Sequence, residues 1–257
     1  MGAHALSLGE RLLRARRLRQ FVHALPDGLS TTVHVATWPR RTTRVRVAAI
    51  EPAQALRAWA RRHDVHDALA AGFHVAPGTS PLGELWVEGQ AHMYVPFDPP
   101  WDACRSCVVV DRGEVSIAPR GALPSRPRGD LVQAGPLLVL AGRSLIGDRD
   151  PEGFSAGAHQ FDADITRDRE PRTAFGIARD RYIAAVCDGR SMRDAGMTLA
   201  ELAQLMAELG ADSAINLAGG GSASLVCGAR LQNRPREDNG VALLGGRPLA
   251  SALVFGR

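Results

Sequence analysis

Lysine is absent from the 257 residues, so arginine supplies all 31 basic side chains. Aromatic residues are also scarce, at 5% of the chain, and the formal net charge is only +4. The pI of about 9.3 is typical of nucleic-acid-binding proteins. However, the arginines are scattered and usually stand close to Asp or Glu, and there are too few aromatic side chains for base-stacking platforms. We therefore expect no nucleic-acid partner.

Long apolar runs are missing as well. No stretch approaches the roughly 18–20 apolar residues that a membrane span needs. Five arginines interrupt the N-terminal segment where a secretory signal needs an apolar core: Arg11, Arg14, Arg16, Arg17 and Arg19. The sequence predicts a cytoplasmic protein with no membrane partner.

Cysteine is limited to four residues, of which only Cys104 and Cys107 are closely spaced. Such a pair is at most half of a zinc site, and no histidine follows at finger spacing. We expect thiols, with a Cys104–Cys107 disulfide as the alternative, and no metal centre built on cysteine.

What is present predicts a single α+β domain with a mixed, largely antiparallel β-sheet core and a few packed helices. Hydrophobic residues make up 45% of the chain, enough to bury a sizeable core. We assign residues 1–40 to a peripheral segment, with a basic amphipathic helix over 8–24 and a strand over 32–38. Residues 41–257 form the main domain, which begins with a strand over 44–50 and a helix over 51–63.

Further elements follow from local patterns. Hairpins are expected over 71–89 and over 173–187, the second with a turn at Arg179-Asp180. Strands are expected over 107–110, 114–117 and 137–140. The pattern T-x-x-E at Thr198 and Glu201 is a capping box, so a helix should begin after Thr198 and end at Gly210.

The stretch NLAGGGSAS, residues 216–224, follows a predicted strand. Consecutive glycines can present backbone N–H groups to an anion, but they are equally compatible with a tight turn or a bulge. The Lys of a Walker A loop and the spacing of a dinucleotide fingerprint are both missing. Polar residues at neighbouring strand ends favour a site, because a sheet brings such ends together: Arg172, Asp188, Arg190, Asn216 and Ser222.

A polar segment over 143–171 carries Glu152, His159, Asp162 and Asp164. These residues could supply general acid and base or hold a hard cation, and the alternative is a solvated acidic loop. His74 is a further candidate for catalysis, although a histidine in this position is more often a packed or surface residue.

Taken together, several motifs resemble the phosphodiester glycosidase family. They are PRTAFGIARDRYIAAVCDGR, GMTLAELAQLMAELGA, AINLAGGGSASLV, NRPRE and GRPLASALVF, with GFHVAPGTSPLGELWVEG as an earlier glycine-rich segment. The resemblance spans roughly residues 45–257. It implies an α+β domain that cleaves a sugar attached through its anomeric carbon to a phosphodiester.

The resemblance also implies site residues: Arg172, Asp188, Gly189, Arg190, Asn216, Gly219, Gly220, Gly221 and Ser222. The chain departs from the family's usual pattern at two places. Ala218 stands where the family has the acid of N-L-D-G-G-G-S, and Ala70-Ala71-Gly72-Phe73-His74 stands where it has N-G-G-F-F. Loss of a carboxylate matters, because acid and base roles require an ionisable group.

Three functions remain open from the sequence. The first is a hydrolase in which the arginines and the glycine amides hold phosphate, while Asp188 and a carboxylate of the 143–171 segment act as acid and base. The second is an enzyme of small-molecule biosynthesis on the same scaffold with altered chemistry, and the third is an inactive ligand-binding homologue. In each case we expect a small, anionic or sugar-containing ligand and no organic cofactor; a divalent cation and a homo-oligomer are left open.

Overall fold

The structure, a computed structural model, describes residues 17–75, 80–146 and 168–256. Within these ranges, neighbouring strands pair antiparallel throughout the sheets. A parallel bridge joins Leu82 to Val95. The expected α+β fold with a largely antiparallel sheet core is confirmed.

A seven-stranded sheet contains both the N-terminal strands and the hairpin predicted before Asp188. With strands numbered in chain order, its spatial order is β1 (Arg17–Ala24), β2 (Ser30–Pro39), β15 (Arg181–Cys187), β14 (Arg172–Ile177), β16 (Ser213–Asn216), β12 (Leu137–Leu140) and β13 (Arg143–Ser144). Residues 30–39, which the sequence assigned to a peripheral segment, thus form an internal strand.

Two five-stranded sheets and a short hairpin complete the strands. One sheet has the order β10 (Glu114–Pro119), β9 (Ser106–Asp111), β11 (Asp130–Gln133), β7 (Leu85–Val87) and β8 (Gln90–Ala91). The other has the order β18 (Arg230–Leu231), β17 (Leu225–Cys227), β4 (Ala68–Ala70), β19 (Pro248–Gly256) and β3 (Arg44–Ala55). The hairpin joins β5 (Phe73–His74) to β6 (Pro81–Leu82).

Three α-helices lie in the described ranges: α1 (Leu56–Arg62), α2 (Trp101–Cys104) and α3 (Leu199–Glu208). The capping box before α3 is confirmed, because the Thr198 hydroxyl accepts from the Glu201 amide and the Glu201 carboxylate accepts from the Thr198 amide. Gly210, at a φ of 84°, follows the helix as expected.

The three sheets enclose one central apolar core, in which Trp38 of β2 stacks on Phe255 of β19 at 4.0 Å between ring centroids. The outer face of the seven-stranded sheet is covered by α3, through Leu202 and Met206. The outer face of the second five-stranded sheet is covered by α1, through Trp59. The central strands β14, β15 and β16 are therefore buried on both faces, as their apolar residues require.

Two helix predictions are wrong in part. Residues 17–24 form edge strand β1 rather than the second half of a helix over 8–24, and the remainder of that predicted helix lies outside the described residues. Residues 51–55 continue strand β3, and α1 begins only at Leu56. Pro52 is tolerated there because β3 is an edge strand, where a missing N–H costs no ladder bond.

The cysteines are thiols, so the alternative Cys104–Cys107 disulfide is not formed. Among the described helices, none is long and apolar enough to cross a membrane.

Candidate active site

The strand ends that carry the predicted site residues do meet, at one end of the seven-stranded sheet. β14 begins at Arg172, opposite Cys187 at the end of β15, and Asn216 at the end of β16 pairs with Ala174. The amide of Asp188 donates to the carbonyl of Thr32 near the start of β2. Antiparallel pairing of consecutive neighbours produces this convergence.

The side chains at this edge are divided between the two faces of the sheet. Arg172 and Asn216 share the face covered by α3, because their partners Cys187 and Ala174 belong to that cluster. Asp188 lies on the opposite face, where its carboxylate contacts His34. The sheet therefore separates Asp188 from the two residues predicted to act with it.

The glycine turn, residues 219–222, follows β16 directly and ends in a short 3-10 turn over Gly220–Ser222. The Gly220 amide donates to the carbonyl of Pro171 at 2.8 Å, and the Ser222 amide donates to Gly219 at 3.1 Å. Within the described chain, the amides of Gly219 and Gly221 and the hydroxyl of Ser222 have no hydrogen-bond partner. Three donors in this turn thus have no partner within the described chain.

Two guanidinium groups pack against this turn. A Cβ on Gly220, whose φ is +58°, would lie 3.1 Å from Nη2 of Arg190, and a Cβ on Gly221 would lie 2.9 Å from Nε of Arg247. Only glycine allows the arginines to approach the backbone this closely. The triplet is therefore explained by close packing as well as by backbone conformation.

Arg190 is fully engaged by protein groups. Its Nε donates to Glu170 Oε2 at 2.6 Å, its Nη1 donates to the Arg236 carbonyl at 3.1 Å, and its Nη2 contacts Asp238 Oδ1 at 2.5 Å. Its side chain is only 8% exposed. Arg190 therefore connects the loops around the glycine turn, and its guanidinium packs against that turn.

Arg172 is buried, with Nε donating to the Met197 carbonyl and Nη2 to the Asp168 carbonyl, each at 2.9 Å. Burial lowers the pKa of its guanidinium to about 10. Arg172 thus anchors the segments on the α3 side, where Asn216 also lies. The Asn216 amide nitrogen donates to the Gly135 carbonyl at 3.0 Å, and its side-chain oxygen is buried without a partner in the described chain.

Arg247, at the start of the segment leading into β19, was not singled out from the sequence. It donates through Nε and Nη2 to the Glu237 carboxylate, and this contact lowers the pKa of Glu237. Its amide also donates to the Gly221 carbonyl at 3.0 Å. The only sequence signal is its place in GRPLASALVF, where nothing sets it apart from other arginines.

His74 lies at the end of β5 and is half-buried. Burial, reinforced by the positive charge of Arg247, lowers the pKa of the imidazole below its usual value. The ring is consequently neutral at neutral pH and can accept a proton.

Asp188 forms a buried pair with His34, which the sequence analysis missed. Its Oδ2 lies 3.0 Å from Nε2 of His34, and its Oδ1 accepts from the Arg234 amide at 2.6 Å. A histidine in the middle of an alternating strand does not by itself indicate a functional site. Its carboxylate partner, Asp188, follows the neighbouring strand and is distant in sequence.

A model of a known protein family matches most of the chain. The model described as phosphodiester glycosidase matches residues 65–256. The chain belongs to the phosphodiester glycosidase family.

Solved structures show the same fold. The zebrafish N-acetylglucosamine-1-phosphodiester alpha-N-acetylglucosaminidase catalytic domain, auto-inhibited by its pro-peptide, has a TM-score of 0.70 at 16% identity, over 95% of this chain and 83% of that one. A hypothetical protein from Synechocystis has a TM-score of 0.63 at 19% identity over 93% of this chain, which spans only 62% of that protein. A protein from Burkholderia pseudomallei has a TM-score of 0.60 at 17% identity, over 92% of this chain and 76% of that one. A comparison with curated proteins gave no match.

The two departures from the family pattern are neighbours in space. Ala218 donates its amide to the Ala71 carbonyl at 2.8 Å, and both Ala218 and Ala70 pack in the apolar cluster beneath α1. We call Ala70 and Ala218 the alanine patch. An acid and an amide of the usual pattern are thus replaced by two methyl groups of the same apolar cluster.

The remaining predicted residues, Glu152, His159, Asp162 and Asp164, lie outside the described residues. Within the described ranges, no three His, Cys, Asp or Glu side chains are grouped as a metal ion would require.

Proposed function

We propose that the protein is a hydrolase of the phosphodiester glycosidase family that cleaves a sugar 1-phosphodiester, with the phosphate bound at the glycine turn. One observation carries the proposal: two backbone amides and the Ser222 hydroxyl lack partners in the described chain, in a turn that follows strand β16 directly. Backbone N–H groups that lack a protein partner and lie in one turn are suited to a phosphate oxygen.

The reaction also needs proton transfer. Water attacks the anomeric carbon, the bond from that carbon to the phosphate oxygen breaks, and the water loses a proton. His74 stands where the family pattern has phenylalanine, and its lowered pKa leaves it neutral and able to take that proton. The leaving group is a phosphate monoester, whose conjugate acid is much stronger than an alcohol, so strong acid assistance is less necessary than for an alcohol leaving group.

Glu152, His159, Asp162 and Asp164 remain candidates for the second proton-transfer group, as the sequence proposes. Asp188, by contrast, has both carboxylate oxygens engaged, by His34 and by the Arg234 amide. We therefore assign Asp188 no direct role at the glycine turn.

The test is release of free sugar from an N-acetylglucosamine 1-phosphodiester, measured chromatographically. Ser222→Ala should lower kcat/KM by roughly tenfold to a hundredfold, because a hydrogen bond to a charged group contributes about 1.5–3 kcal/mol. Ser224→Ala is the matched control: Ser224 is equally buried, and its hydroxyl has no partner in the described chain. It should change the rate by less than about twofold.

If the protein releases no sugar but the Ala218→Asp variant does, hydrolysis is not the native activity. The alanine patch favours a second candidate in that case, namely a scaffold redirected to other small-molecule chemistry or to binding alone. Thermal-shift screening separates these: stabilisation by sugar phosphates and by no other metabolite class argues against redirection, and any product formed from a bound ligand argues against binding alone.

A further inference from the structure

A polar cavity of about 550 Å³ opens at the edge of the seven-stranded sheet. Side chains of β1 and β2 form one wall, and its floor contains His34 and Asp188. None of the glycine-turn residues lines it. The cavity is large enough for a sugar-sized molecule.

The floor presents one proton acceptor. His34 is 3% exposed, and its Nε2 lies 3.0 Å from the Asp188 carboxylate. Because an ionised carboxylate can only accept, Nε2 must carry a proton, and in the neutral form of the ring this leaves a lone pair on Nδ1. No residue of the described chain contacts that nitrogen through a hydrogen bond.

Asp188 is itself held firmly, so the orientation of the ring is fixed. Its carboxylate accepts from the Arg234 amide at 2.6 Å, and its carbonyl accepts from the Thr31 hydroxyl at 2.6 Å. A histidine oriented by a fixed carboxylate is an arrangement suited to accepting a hydrogen bond or a proton.

The rim supplies positive charge. The side chains of Arg193 and Arg234 line the cavity, and neither forms an ion pair with any acid in the described ranges. Asp194, the other acid there, is occupied: Oδ1 accepts from the Thr32 amide at 2.7 Å and Oδ2 lies 3.3 Å from the Ser191 hydroxyl. The two arginines are therefore available to an anion, which they can hold through paired donors.

We propose that this cavity is a second binding site, for a small hydroxylated anion. Arg193 and Arg234 bind its phosphate or carboxylate group, and a hydroxyl of the same molecule donates to Nδ1 of His34. The proposal does not depend on hydrolysis at the glycine turn, since the two places share no lining residue.

Nitrogen NMR of protein labelled in histidine tests the proposal, with the His34 signals identified by their loss in His34→Asn. In the apo protein, the neutral form of His34 should be the Nε2–H tautomer. Glucose 6-phosphate or gluconate should shift the Nδ1 signal, and which of them binds tighter distinguishes a phosphate ligand from a carboxylate one. Glucose and inorganic phosphate each lack one of the two recognised groups and should shift it far less.

Arg193→Gln and Arg234→Gln should each weaken the binding seen at His34 by about tenfold, the loss typical of one charge-assisted contact. The Arg234 amide that holds Asp188 is retained in the second variant. Arg230→Gln is the matched control, because Arg230 is exposed and outside the cavity. Equal effects of all three variants, an Nδ1–H tautomer, or no shift with either ligand would overturn the proposal.

Discussion

The glycine turn and the alanine patch touch each other, yet they relate to the family pattern in opposite ways. The turn keeps the glycines and serine of that pattern and presents two unused amides, whereas the patch replaces an acid and an amide by methyl groups. A backbone donor does not depend on side-chain identity, as long as the conformation is preserved. An anion site can therefore persist beside a lost carboxylate.

The difference also shows what stabilises each region. The turn is held by ion pairs of Arg190 and Arg247, while Ala218, 2% exposed, is held by apolar packing under α1. Removing a charge should therefore destabilise the turn, whereas adding a charge should destabilise the patch.

The largest effect is expected from Arg190→Met. It leaves the carboxylate of Glu170, whose side chain is 14% exposed, without its cation. Breaking a buried pair from one side costs about 3–5 kcal/mol. Urea unfolding of Arg190→Met should show a loss of free energy of unfolding in this range.

Exposed Arg230 again provides the control, and Arg230→Met should change the free energy of unfolding by less than about 0.5 kcal/mol. A loss for Arg190→Met no larger than that of the control would show that the Arg190 contacts do not stabilise the turn.

A smaller effect is expected from Ala218→Asp, which restores the acid of the family pattern. The new carboxyl would lie in the apolar cluster that also contains Ala70, so we expect a loss of about 2 kcal/mol or more in the free energy of unfolding. The same measurement on the Ala70→Asn variant and on the double variant completes a double-mutant cycle.

If the patch has lost a coupled pair, the double variant should be more stable than the sum of the two single changes by about 1 kcal/mol. Simple additivity would show that the two positions changed independently and that the patch is not one unit.

The smallest effect is expected from His74→Phe, and it depends on pH. The pKa of His74 is lowered in the folded protein, so as pH falls below 6.5 the unfolded chain takes up this proton first. The contribution of neutral His74 to the free energy of unfolding is thus present above pH 6.5. It is lost as the pH falls towards the pKa of His74 in the folded protein.

The His74→Phe variant has no imidazole to protonate, so it does not lose this contribution as the pH falls. The free energy of unfolding of the variant relative to the unmodified protein should therefore rise between about pH 7.5 and pH 5.5, as measured by urea titration at each pH. A relative free energy that does not change with pH would contradict the lowered pKa.

The sequence predicts most of the fold, because apolar alternation and turn residues are local signals. The hairpin before Asp188 and the helix after Thr198 are confirmed for this reason. The helix prediction is wrong over 17–24 because Leu18 and Phe21 also fit a helical stripe with Leu8 and Leu12, while pairing with β2 decides the structure. Leu18 and Val22 are 43% and 70% exposed, as an edge strand permits.

The site is only partly predictable. Strand order brings Arg172, Asp188 and Asn216 to one edge, as expected, but the face on which each side chain lies depends on register across several strands. His34 and Arg247 could not be identified for the same reason, since their partners are distant in sequence. Which polar residues contact one another is a property of the whole sheet.

A crystal structure with a slowly hydrolysed phosphonate analogue of a sugar 1-phosphodiester tests phosphate binding at the glycine turn most directly. We expect the phosphonate oxygens to lie within hydrogen-bond distance of the Gly219 and Gly221 amides and the Ser222 hydroxyl, with the sugar towards His74. An analogue bound elsewhere while these three donors remain unused would contradict it.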